Sequence, residues 1–177
     1  MIIPFEGKQP QIGRDVFIAP TAVVIGDVTI GDEAGIWYGT VVRGDTSPIV
    51  IGRCTNLQDN CVVHSDPGFP AVIGDGVTVG HGALIHGCTI EDGCLIGNRA
   101  QVLNGARIRS GALVAAGAVV REGTEVPAGT LAAGLPAVVK RALNEADMAR
   151  LRHATEVYRD LGRRHRSLFA PEADPHD

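Results

Sequence analysis

Large aliphatic residues recur at every sixth position along most of this chain. From Ile12 the step runs through Ile18, Val24, Ile30, Ile36 and Val42. After a slip at Ser47-Pro48-Ile49 it resumes at Ile51, Leu57 and Val63, and after the Pro67–Val72 region at Ile73, Val79 and Ile85. One shortened step leads to Ile90, Ile96, Val102, Ile108, Val114, Val120 and Val126. Four residues beyond each of these the side chain is mostly small: Ala22, Ala34, Thr40, Thr55, Cys61, Ala83, Thr89, Cys94, Ala100, Ala106, Ala112 and Ala118. A large aliphatic residue followed by a small one at that distance describes a short strand entering a tight corner, both side chains pointing inward. Gly, Asp and Asn fill much of the remainder, as the turns require. The period predicts a parallel β-helix of hexapeptides, three to each triangular coil. An ordinary β-sandwich alternates with period two between turns of varied length and would not hold a six-residue phase.

The pattern divides the chain. Residues 1–11 are a lead-in expected to cover the open first coil, and residues 12–136 are the β-helix, roughly six coils by the repeat length. Gly134-Leu135-Pro136 breaks the strand pattern and marks its end. Residues 137–169 form a C-terminal segment and α-helix, in which Asn144 is the expected N-cap and Leu143 and Met148 a hydrophobic staple. Met148, Leu151, Thr155, Tyr158 and Leu161 then recur at helical spacing, giving one apolar face to pack back along the β-helix. The basic run Arg163-Arg164-His165-Arg166 reads as a solvated helix end, and residues 170–177 as a tail.

Composition narrows the picture. One domain is the default for 177 residues, and an aromatic content of 4% suits a core of stacked aliphatics. A net charge of −4 gives no reason to expect a nucleic-acid partner. The opening MIIPFEGKQP lacks an apolar run long enough for a signal peptide or membrane span, so the expected compartment is the cytoplasm. The four cysteines include no CxxC pair, and Cys61 and Cys94 fall in the small inward slot; they are expected to be core residues.

Candidate chemistry follows from the phase. With the coil faces labelled A, B and C in turn from Ile12, Val42, Val63 and Ile85 all fall on face C. Their next neighbours Arg43, His64 and His86 therefore form a column, with neighbouring strands about 4.8 Å apart. That spacing puts His64 and His86 within reach of one ion whose bonds to nitrogen are about 2.0–2.1 Å. His81 sits on face B, in a column with Tyr38, Asp59 and Asn98, and is poorly placed to join them within one chain. A cyclic homotrimer, face B of one copy against face C of the next, would let His81 complete the site across a closed heterologous interface. Three histidines with an open fourth position are the arrangement of a catalytic ion rather than a structural one.

Residues 36–64, IWYGTVVRGDTSPIVIGRCTNLQDNCVVH, and 77–88, VTVGHGALIHGC, resemble the γ-class carbonic anhydrase family, and the likeness runs through essentially the whole repeat to the G-L-P exit. The resemblance implies a left-handed β-helix, a homotrimer with metal sites between subunits, and His64, His81 and His86 as ligands of Zn2+, with Fe2+ or Co2+ as other candidates. It implies an ion pair between subunits for Arg43 and Asp45, a hydrogen bond from Gln58 to the metal-bound hydroxide, and places in the same pocket for Asn56 and Asp59, with Tyr158 as a nearby tyrosine. The implied reaction is reversible hydration of carbon dioxide to bicarbonate. Thr46 after Asp45 and the short loop SDPGFP after His64 place the sequence nearest the subgroup without the acidic proton-shuttle loop. Two other readings stay open: an acyl-CoA thioesterase or transferase, and a catalytically weak scaffold trimer cemented by its metal.

Overall fold

The structure is a computed structural model that describes residues 1–169; the sequence-predicted tail at 170–177 lies outside them. The six-residue phase becomes three columns of parallel strands. On face A, Ile12 stacks through Ile30, Ile51, Ile73, Ile90 and Ile108 to Val126. On face B, Ile18 stacks through Ile36, Leu57, Val79, Ile96 and Val114 to Ala132. On face C the column runs from Ile2 through Val24, Val42, Val63, Ile85 and Val102 to Val120. The result is a parallel β-solenoid of about seven turns, of the left-handed hexapeptide-repeat type. It exceeds the roughly six coils that the repeat length suggests because Ile2–Ile3 adds a strand beside Val24–Ile25 and Thr130–Gly134 adds another beside Leu113–Val114. Every aliphatic of the six-residue series from Val24 to Val126 is at most 2% exposed, while Ile12 and Ile18 at the open end are partly buried.

The small partners follow suit, with one correction. Thr89 does not occupy the inward slot; Cys88 does, at 1% exposure, because the step from Ile85 to Ile90 is one residue short. Cys61 and Cys94 are also buried, whereas Cys54 is half-buried, and all four thiols are free. At the far end, strands Thr130–Gly134 and Ala137–Ala142 pair antiparallel, so the Gly-Leu-Pro exit becomes a hairpin turn.

The helix spans Glu145–Ser167. Asn144 caps it through a capping box with Asp147, each side chain accepting from the other's backbone N–H. Leu151 and Gly162 are buried, with Thr155, Tyr158 and Leu161 half-buried; Met148 stays exposed, so the packed face begins one turn later than its spacing suggests. The helix lies against face B, over strands Phe17–Ile18, Gly35–Ile36, Asn56–Leu57 and Thr78–Val79. The basic run is not simply solvated. Arg163 pairs with Glu33 at 2.7 Å and Arg166 with Asp15 at 2.6 Å, while the Tyr38 hydroxyl meets His165 Nδ1 at 2.9 Å. The His165 ring also packs edge-on against Trp37, 4.9 Å between centroids. These contacts fix which end of the helix sits over the first coils. Among the described residues, no helix is long and apolar enough to cross a membrane.

Candidate metal centre

His64 and His86 close two adjacent strands, Val62–His64 and Leu84–His86, and pair in register. Alternation along each strand sends Val63 and Ile85 into the core and turns the imidazoles outward. His64 Nδ1 and His86 Nε2 lie 3.1 Å apart. The other nitrogen of each ring meets an oxygen: His64 Nε2 is 3.0 Å from Asp45 Oδ1, and His86 Nδ1 is 2.8 Å from Asn104 Oδ1. The amide of Asn104 is itself oriented, since its Nδ2 donates to Asp66 Oδ2 at 2.8 Å. Each oxygen accepts a ring N–H and so selects the tautomer, as outer partners of metal-bound histidines do.

In neutral rings so held, the nitrogens left over carry lone pairs, and these two nitrogens face each other. Two such acceptors cannot hydrogen-bond one another, but a cation between them satisfies both. Two nitrogens on a tetrahedral ion with bonds of about 2.0–2.1 Å would be about 3.3–3.4 Å apart, close to the separation seen. The donor chemistry therefore fits a divalent metal. An Asp66 carboxylate oxygen lies in the same cluster, within 4.8 Å of one ring nitrogen of each histidine.

Asp45 belongs to the long strand Val41–Ile51, which runs without a break round the corner from face C to face A. Partial burial opposes its ionisation, yet hydrogen bonds from Arg43 and His64 outweigh that and hold its carboxyl below the usual range. Arg43 reaches Asp45 Oδ2 within the same chain, at 2.5 Å.

His81 stands apart from this cluster, on the turn after strand Thr78–Val79. Its Nδ1 is 2.8 Å from Asp59 Oδ2, and the Tyr158 hydroxyl approaches its Nε2 at 3.2 Å. A carboxylate again holds one ring nitrogen and leaves the other with a lone pair. Burial, helped by the nearby charge of Asp59, raises the Tyr158 phenol above its ordinary value and keeps its proton available for that hydrogen bond. Asn56 and Gln58 form a separate buried row under the helix. Gln58 Nε2 donates to Asn56 Oδ1 at 3.4 Å, and Asn56 Nδ2 to Thr78 Oγ1 at 3.0 Å. The structure thus gathers Arg43, Asp45, His64 and His86 in one place and Asp59, His81 and Tyr158 in another.

Sequence reasoning missed Asn104 and the place of Asp66 in the cluster. The signal for Asn104 lay in a column left unstacked, two residues past each inward aliphatic of face C: Gly44, Ser65, Gly87, Asn104. Gly87 is what lets the amide reach down to His86. A Cβ there would lie 2.2 Å from Asn104 Oδ1 and 2.8 Å from the Phe69 Cβ, on a backbone with φ +53°.

Comparison with known proteins agrees with the repeat. The profile of the bacterial transferase hexapeptide (six repeats) matches residues 9–44 and 87–122, and that of the hexapeptide repeat of succinyl-transferase matches residues 70–98. The chain is 44% identical over 168 residues to a carbonic anhydrase of Geobacillus kaustophilus, covering 95% of this chain and 92% of the relative. It is 54% identical over 87 residues to mitochondrial gamma carbonic anhydrase 2 of Arabidopsis thaliana, spanning 46% of this chain and 31% of that protein. A solved structure from Bacillus cereus, assigned as an acetyltransferase, superposes with a TM-score of 0.93 at 41% identity, covering 94% of this chain and 97% of that one. With such identity sustained over nearly its whole length, the chain belongs to the γ-class carbonic anhydrase-like family of hexapeptide-repeat proteins.

Proposed function

We propose that this protein catalyses the metal-dependent, reversible hydration of carbon dioxide to bicarbonate, at a centre that His81 of a neighbouring copy completes within a homotrimer. The observation that carries the reading is the 3.1 Å approach of His64 Nδ1 and His86 Nε2, with the other nitrogen of each ring held by Asp45 and Asn104. A shared centre is supported by the surface beside them. The outward column of face C next to the two histidines is Val23, Val41, Val62, Leu84, Gln101 and Val119. Five of these six are apolar on a side of the sheet that would otherwise face water, and Val62 is 41% exposed. A second copy would cover them.

His64 and His86, with His81 of the neighbour, would hold the ion, and Zn2+ is proposed, with Fe2+ and Co2+ also suited to imidazole ligands. Such an ion would lower the pKa of a water it binds to about 7 and so make a nucleophile available at neutral pH. Asp45, Asn104 and Asp59 each hold the ring nitrogen that faces away from the ion, which fixes the orientation and tautomer of the three imidazoles. Gln58, with Asn56 and Asp59 beside it, supplies side-chain hydrogen bonds to orient the reacting oxygen, and Tyr158 holds His81 in place until the copies meet.

The assignment of the Bacillus cereus structure favours a second reading, acyl transfer or thioester hydrolysis. Stopped-flow CO2 hydration with Zn2+ or anaerobic Fe2+, run beside acyl-CoA hydrolysis, decides between them. Hydration that needs metal and disappears in His64→Ala supports the proposal; acyl-CoA turnover that persists without metal overturns it. A trimer that binds metal and turns over neither substrate identifies a scaffold.

A further inference from the structure

We propose that Asp66 is a metal ligand, so that a single protomer can take up the ion on His64, His86 and its own carboxylate before any second chain lends an imidazole. The inference rests on the metal reading above and extends it to a residue which that reading leaves out. The three donor atoms lie within 4.8 Å of one another. Two ligands with bonds of about 2.0–2.2 Å to one tetrahedral ion are about 3.3–3.6 Å apart, so the widest pair of the trio has to close by up to about 1.5 Å. Two neutral imidazoles and one carboxylate would leave a dication with a net charge of one and with positions free for water and for a later ligand.

Asp66 is held in place. It opens the short loop after His64, where Phe69 N–H donates back to its carbonyl at 2.9 Å. Ser47 Oγ donates to the same carbonyl at 2.8 Å, and Thr46 donates to the carbonyl of fully buried Ser65. Asn104 occupies Oδ2 of the carboxylate, while among the described residues no hydrogen bond engages Oδ1. Asp66 also forms no ion pair among the described residues, and Arg43, on the same coil face as His64, is paired with Asp45. A half-buried carboxylate without a counter-charge, beside two imidazoles, is short of one positive charge. A divalent ion supplies it.

The test uses Co2+ as probe, with binding titrations and the visible d–d spectrum as readouts and thermal melts to confirm folding of each variant. His81→Ala is expected to bind one Co2+ per chain, more weakly than the parent protein. Adding Asp66→Asn, which keeps an acceptor for Asn104, should weaken Co2+ further by more than the roughly 10–100-fold that loss of an outer hydrogen-bond partner costs, and should change the spectrum. Asn104→Ala in the same background should stay within that range and leave the spectrum in place. The inference is overturned if His81→Ala alone abolishes Co2+ binding, if Asp66→Asn changes neither affinity nor spectrum, or if Asn104→Ala reproduces the whole loss. A parent protein that binds neither Co2+ nor Zn2+ overturns the metal reading as well, and so separates the two failures.

Discussion

Replacing Asp45 by Asn tests the idea that fixed oxygens aim the histidine lone pairs. The substitution keeps the size of the side chain and removes its charge. In the structure Asp45 accepts from His64 Nε2–H on one oxygen and from Arg43 on the other. An Asn offers one oxygen, and Arg43 competes for it. When Arg43 wins, the amide N–H turns to His64 Nε2, which must then accept and shift its proton to Nδ1, covering the lone pair that faces His86. Loss of an outer partner of this kind costs about 10–100-fold in metal affinity, or about 1.4–2.7 kcal/mol. The effect on stability should be much smaller. The Arg43–Asp45 pair has side chains 42% and 19% exposed, and pairs that solvent screens in this way contribute about 0–1 kcal/mol. Chelator competition with Zn2+ measures the first quantity and thermal unfolding of the metal-free protein the second. An unchanged affinity refutes the reasoning, as does a loss that merely tracks destabilisation of the metal-free fold.

Other outcomes follow from the core, the thiols and the helix cap. Ile96→Ala should lower the unfolding free energy by about 2–5 kcal/mol, toward the upper end because the backbone ladders to Val79 and Val114 hold the walls of the cavity apart; urea titration measures it, and a loss under 1 kcal/mol contradicts the picture. Burial pushes the Cys61 and Cys88 thiols up to about 12 and the Cys94 thiol to about 11, so iodoacetamide at pH 8 should leave all three unmodified until the protein unfolds. Rapid native-state labelling of any of them, read by peptide mass, would show that the coil opens readily. Arg141 and the Asn144 backbone N–H hold Asp147 down at about 2, below its ordinary 3.8. The stability this contributes is fully present above pH 4 and is lost as pH falls toward 2. The Tm difference between the parent and Asp147→Asn should accordingly shrink across that window, and a constant difference would exclude the linkage.

The core and the strand register were legible because one rule repeats. A strand that must bury Ile96 between Val79 and Val114 can pair in only one way, since a slip of one residue turns every side chain to the other surface. The adjacency of His64 and His86 follows from the same rule. What could not be read depends on side-chain reach rather than on phase. Asn104 meets His86 only because Gly87 lacks a Cβ and leaves a gap between coils. The basic run docks because a helix of this length, started at Asn144, carries Arg163 and Arg166 over Glu33 and Asp15. The helix sequence alone does not state where its far end will land. Thr89 was misplaced for a simpler reason: the short step before Ile90 moves the inward slot to Cys88.

The irregular steps of the repeat share one location. The slip between Val42 and Ile51, the insertion between Val63 and Ile73 and the short step between Ile85 and Ile90 all fall where face C turns into face A. At that corner sit Arg43, Asp45, His64, Asp66 and His86. A regular hexapeptide turns its corner within a few residues and offers only small side chains there. An extra three or four residues allow a strand to run through the bend, as Val41–Ile51 does, or a loop to fold back, as Asp66 and Phe69 do. Departures from a stacking rule that is kept everywhere else cost packing, and such costs persist where the local geometry serves another purpose. Restoring the rule is therefore informative. Deleting the loop residues 66–69, so that His64 leads through Ser65 and Pro70 into face A, should keep the coil and its thermal unfolding close to those of the parent while Co2+ binding weakens. If such a protein melts far lower yet still holds its metal, the corner exists for folding, and the centre does not depend on it.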